Sequence, residues 1–136
     1  MFTGLSHVSI VVPNLDAAAR ALEQKYGLKI GRIEVNAEQG VRMAYVELPN
    51  AKIELMEPSR ADSPVMKFLQ KNPQGGIHHF CLGVDSVDAT STALENEGVR
   101  VLGDGKQLNV HGERIAFVHP KDFLGALVEL EEPQRG

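Results

Sequence analysis

The chain has 136 residues, 43% of them hydrophobic, with one cysteine and a formal net charge of -4. That suffices for a compact core, and no basic stripe offers itself to nucleic acid or an anionic membrane. A single thiol excludes an intrachain disulfide and a thiolate-rich zinc site and points to a reducing, cytoplasmic location. The opening "MFTGLSHVSIVV" runs straight into strand-like sequence, so neither a signal nor a transit peptide is expected. The apolar runs are too short to span a bilayer.

Residues 5–12 alternate and are rich in β-branched side chains, which predicts a strand. Asn14 stands as N-cap to a helix whose apolar face is Leu15, Ala18, Leu22 and Tyr26, and Gly27 ends it. Strands are expected near 28–35, 41–48 and 51–57. Ser63 as N-cap and Pro64 at the first helical position predict a linking helix over about 63–72. Gly75 and Gly76 then open a strand over 77–84. Ser86 caps a helix over 86–97, and strands follow near 99–102, 113–119 and 125–132.

The second half repeats the first. "HVSIVVPNLDAAARALEQKYG" from His7 lies over "HFCLGVDSVDATSTALENEG" from His79, and "GVRMAYVELP" from Gly40 over "GERIAFVHPK" from Gly112. "KIELMEP" lies over "LVELEEP", so Glu54 meets Glu129. The expected fold class is α+β. Two repeated βαβββ modules, about 1–60 and about 75–136, form a curved sheet around a metal-binding cleft within a single domain, 1–136.

The two-residue strand period sorts the polar residues. Val8, Ile10 and Val12 face the helix, and so do Phe80, Leu82 and Val84, with His78 among them. His7 and Ser9 face the other way, as do His79 and Cys81. Ile53, Leu55, Val128 and Leu130 pack inward, which turns Glu54 and Glu129 to that second face. His7, Glu54, His79 and Glu129 thus occupy repeat-equivalent places, and a pseudo-twofold would bring them together. Two imidazoles and two carboxylates suit one divalent ion such as Co, Ni, Mn, Fe or Zn, with about two coordination positions left open. His78 is expected to be structural, and Cys81 a buried thiol.

The repeat with His and Glu at these points resembles the vicinal oxygen chelate (glyoxalase-like) superfamily. "EQGVRMAYVEL", "KIELMEP", "DSPVMKFLQKN", "GGIHHF" and "FVHPKDFLGALVELEE" are together similar to the methylmalonyl-CoA epimerase family. The resemblance implies an isomerase that interconverts (2R)- and (2S)-methylmalonyl-CoA by proton abstraction and return at C2 through a metal-stabilised enolate. It implies His7, Glu54, His79 and Glu129 as metal ligands, cobalt as the ion (with Mn, Ni or Zn as other candidates) and a homodimer. Glu129 would be one acid/base.

Some family members carry a second glutamate where this chain has Met43. Glu47, on the same strand parity, is the candidate in its place, and Glu38 in the preceding loop is another. Tyr45, matched by Phe117, and Lys121 of "HPK" are candidate substrate-binding residues, Lys121 for a CoA phosphate. Lactoylglutathione lyase (glyoxalase I) is the nearest rival reading. A non-catalytic small-molecule binder of the same superfamily is a second. An extradiol dioxygenase would leave the place of Glu54 open.

Overall fold

The computed structural model of the chain describes residues 1–103 and 105–133. The expected second module ran to residue 136, and its Asp104, Gln134, Arg135 and Gly136 lie outside the described residues. The elements run β1 (Phe2–Val11), α1 (Leu15–Tyr26), β2 (Glu34–Asn36), β3 (Val41–Glu47), β4 (Lys52–Pro58), α2 (Pro64–Lys71), β5 (Gly76–Val84), α3 (Val87–Asn96), β6 (Val101–Leu102), β7 (Arg114–Val118) and β8 (Val128–Glu132). The class is α+β, built of two βαβββ stretches. No helix among the described residues is long and apolar enough to cross a membrane.

The chain divides into two compact units. One is His7–His78; the other is Met1–Ser6 with the described residues from His79 onward. In the first, the strands lie in the order β2-β3-β4-β1, with β1 parallel to β4 and the other neighbours antiparallel. Its core is Leu15, Ala44 and Leu55, joined by Ile10, Val12, Leu22 and Ile53, as the alternation requires. In the second, the order is β5-β8-β7-β6, with β5 parallel to β8. Val84, Val87, Ala116, Val118, Val128 and Leu130 form its core.

Both long helices start in the same way. The Asn14 side chain accepts from the Ala17 N–H at 2.9 Å, and Ser86 Oγ accepts from the Ala89 N–H at 3.1 Å. A strand glutamate then takes one more orphan amide at each start. Glu57 accepts from the Leu15 N–H at 3.1 Å, and Glu132 accepts from the Val87 N–H at 2.8 Å. These are the unsatisfied donors of a helix N-terminus, where a carboxylate is also favoured by the helix dipole. Gly27 closes α1 at φ 69, a left-handed conformation that glycine adopts without strain.

Three expectations need correction. The strand expected near 28–35 shrinks to Glu34–Asn36; upstream, Ile30 makes only an isolated bridge to Val46. Tyr26 sits at the helical spacing of Leu15 and Leu22 but is 72% exposed, because it falls in the last turn, past the edge of the packed face. Ser63 precedes α2 but makes no side-chain cap bond, and its hydroxyl turns to the Gln39 carbonyl at 3.4 Å.

Candidate metal centre

The first half-site lies in unit His7–His78. Parallel pairing sets Ser9 opposite Glu54, and antiparallel pairing sets Tyr45 opposite the same residue. His7, Ser9 and Glu54 are buried. Ser9 Oγ donates to Glu54 Oε1 at 2.5 Å, and Tyr45 OH donates to Oε2 at 2.8 Å. His7 Nε2 stands 3.9 Å from Glu54 Oε1. The His7 ring meets Tyr45 edge-on, centroids 6.0 Å apart and planes at 77°. Lys52 Nζ lies 5.4 Å from the centroid of the Tyr45 ring, a cation–π distance.

The second half-site repeats the plan in the other unit. Cys81 and Phe117 are the strand partners of Glu129. His79 and Glu129 are each 6% exposed, and Cys81 is fully buried. His79 Nε2 and Glu129 Oε1 are 3.0 Å apart. The His79 ring meets Phe117 edge-on, centroids 5.7 Å apart and planes at 81°. A 3.0 Å separation matches two neighbouring ligands of an ion with bonds of about 2.1 Å. The buried His79 and Glu129 thus offer an imidazole and a carboxylate, donors that suit a divalent metal, and the buried His7 and Glu54 offer the same pair of donor types within their own unit.

The other sequence candidates are spread more widely. His78 packs its ring edge on Phe68, centroids 5.3 Å apart, within the first unit. Met43 is buried. Glu47 ends β3 in an exposed position, its carboxylate 3.9 Å from Lys52 Nζ. Glu38 is exposed, and its carbonyl accepts from Arg60. Lys121 is exposed in a short 3-10 turn, Pro120–Asp122, and its backbone N–H donates to His119 Nδ1. Arg100 grips Asp122 in that turn with two side-chain bonds, at 2.8 and 3.1 Å. Those bonds hold the Asp122 carboxyl down at about 2.

Two features escaped the sequence reading. The bonds from Ser9 and Tyr45 to Glu54 depend on side-chain reach across three strands. Glu131 is a further buried carboxylate, accepting from Ser6 Oγ at 3.1 Å and Asn109 Nδ2 at 3.3 Å. The signal for Glu131 was present in "VELEE", where it shares the parity of Glu129.

Residues 6–117 match the glyoxalase/bleomycin resistance protein/dioxygenase superfamily. The ethylmalonyl-CoA/methylmalonyl-CoA epimerase of Cereibacter sphaeroides is 44% identical over 97% of this chain and 99% of its own length. The chain belongs to the methylmalonyl-CoA epimerase family. Solved structures of that family agree in shape. A Streptomyces coelicolor methylmalonyl-CoA epimerase variant in complex with 2-nitronate-propionyl-CoA superposes with a TM-score of 0.92 at 38% identity, covering 99% of this chain and all of that one. A methylmalonyl-CoA epimerase in complex with methylmalonyl-CoA and NH4+ gives 0.88 at 38% identity, covering 98% and 100%. The likeness to the epimerase family thus extends over nearly the whole chain.

Proposed function

We propose that the chain is an isomerase that interconverts the C2 epimers of methylmalonyl-CoA, with His7, Glu54, His79 and Glu129 holding one divalent ion within a single domain. The observation that carries this reading is the duplicated His and Glu, buried at register-equivalent places, in a chain that matches a substrate-bound epimerase along nearly its whole length. A divalent ion held there supplies a Lewis acid for the oxygens of a malonyl thioester.

The chain's own groups do the rest. Glu129 takes the C2 proton on one face, the C–H electron pair passing toward the thioester carbonyl. A second acid then gives a proton to the opposite face of the flattened carbon, which yields the other epimer, while the proton taken by Glu129 is released before the next turnover. Burial of His79 and Glu129 keeps bulk water from the carbanion-like carbon. Glu47, exposed and near Lys52, is assigned no step. Lys121 serves a CoA phosphate from a turn braced by the Arg100–Asp122 pair. Cobalt as the native ion, a homodimer and a cytoplasmic location rest on the family likeness and on the single thiol.

Proton NMR of methylmalonyl-CoA in D2O tests the reading. Metal-loaded protein is expected to erase the C2 proton signal, and an EDTA-stripped sample to leave it. Persistence of that signal with Co, Mn, Ni and Zn alike contradicts it.

A further inference from the structure

We infer that Asn109 is a positioning residue that docks the 109–113 turn, through the Glu131 carboxylate, on the face of β8 from which Glu129 points, and so fixes one wall of the acyl-CoA site. This rests on the proposed function and deepens it. Glu131 stands two residues beyond Glu129 on β8, so both side chains leave the same face of the strand. The rings of His79 and Phe117 lie on that face beside Glu129. Glu131 is buried and accepts from Asn109 Nδ2 at 3.3 Å and from Ser6 Oγ at 3.1 Å. All of these residues belong to one compact unit.

Asn109 uses both ends of its amide. Its Oδ1 accepts from the His111 and Glu113 N–H groups at 2.9 and 3.0 Å, which shapes the turn. Its Nδ2 donates to Glu113 Oε1 at 2.9 Å and to Glu131, which ties the turn to the strand. The repeat-equivalent turn near 37–40 is also pinned, but from the chain after β4. Arg60 donates to the Ala37 and Glu38 carbonyls, and Ser63 to that of Gln39. β4 carries Met56 where β8 carries Glu131. Burying a carboxylate is costly unless it is hydrogen-bonded. Its presence beside Glu129 is explained by the turn it receives.

The test uses Asn109→Asp, Glu131→Gln and the double variant as holoenzymes. It reads KM and kcat for methylmalonyl-CoA, Co2+ content, and amide hydrogen exchange over 105–113. Asn109→Asp is nearly isosteric and keeps the oxygen that receives the two amides, so the turn still forms. It removes the donor and sets a new carboxylate against Glu131. KM should rise about tenfold, the worth of one hydrogen bond to a charged partner. The turn is assigned no proton, so kcat should stay within about twofold. Exchange in the turn should quicken, and Co2+ content should match wild type.

Adding Glu131→Gln supplies an amide that can donate to the new carboxylate. The double variant should therefore bind substrate about threefold or more tighter than Asn109→Asp, a coupling expected of residues in contact. Wild-type KM in Asn109→Asp, or additive losses in the double variant, overturns the inference while leaving the epimerase reading intact. Loss of Co2+ from Asn109→Asp also overturns it, because the turn would then support the ion rather than the acyl-CoA. Absence of C2 proton exchange in wild type overturns both.

Discussion

The two half-sites share strands, register and ring packing. In each, a histidine on the first strand of its module meets an aromatic ring edge-on, and a glutamate stands opposite that ring on the next strand. They part at the carboxylate. Glu54 lies 3.9 Å from its histidine and is held by two hydroxyls, whereas Glu129 lies 3.0 Å from its own. A duplicated fold supplies two carboxylates of one kind, and the side chains opposite each give them different surroundings.

The largest expected effect comes from treating both glutamates alike. Glu129→Gln should lower kcat by about 10²- to 10⁴-fold, the range for loss of a general base. Glu54→Gln should cost less in kcat and about 10- to 100-fold in metal affinity. Steady-state kinetics beside a metal titration reads both. Equal kcat losses in the two variants would break the comparison.

Adjacent histidines give the next test. His79→Ala should abolish metal binding, measured by metal content after dialysis. His78→Ala should keep the metal and lose about 1 kcal/mol of stability, from its ring contact with Phe68. A reversal would place the β5 register one residue off.

The smallest effect is acid sensitivity of the Lys121 turn. Asp122 is held at about 2 by Arg100, below its usual value of about 3.9. A carboxylate lowered in the folded state stabilises the fold above its unfolded value. That contribution fades as pH falls from about 4 to about 2. Thermal melts of wild type should therefore drop more steeply across that window than those of Asp122→Asn. Parallel curves would remove the pair from the account.

The site's frame could be read early because strand parity leaves only two choices. Once Ile53, Leu55, Val128 and Leu130 are assigned inward, Glu54 and Glu129 follow, and the structure packs all four in the cores of their units. Asn14, Gly27 and Ser86 act through their nearest neighbours in sequence, so their caps were legible as well. Ser63 was not, because the Gln39 carbonyl, brought close only by folding, competes for its hydroxyl. The same reason hid the bonds from Ser9 and Tyr45 to Glu54, which join residues 45 and 9 positions apart along the chain. Glu57 and Glu132 were visible as a repeated pair, but their use as helix-start acceptors needs the strand and helix packed together.

The proposed function requires His7 and His79 to serve one ion. Calorimetric titration of apo wild type, His7→Ala and His79→Ala with Co2+ measures this. Wild type is expected to bind one ion per chain, and each variant to lose that binding. Two ions per chain, or full wild-type affinity in either variant, would contradict it.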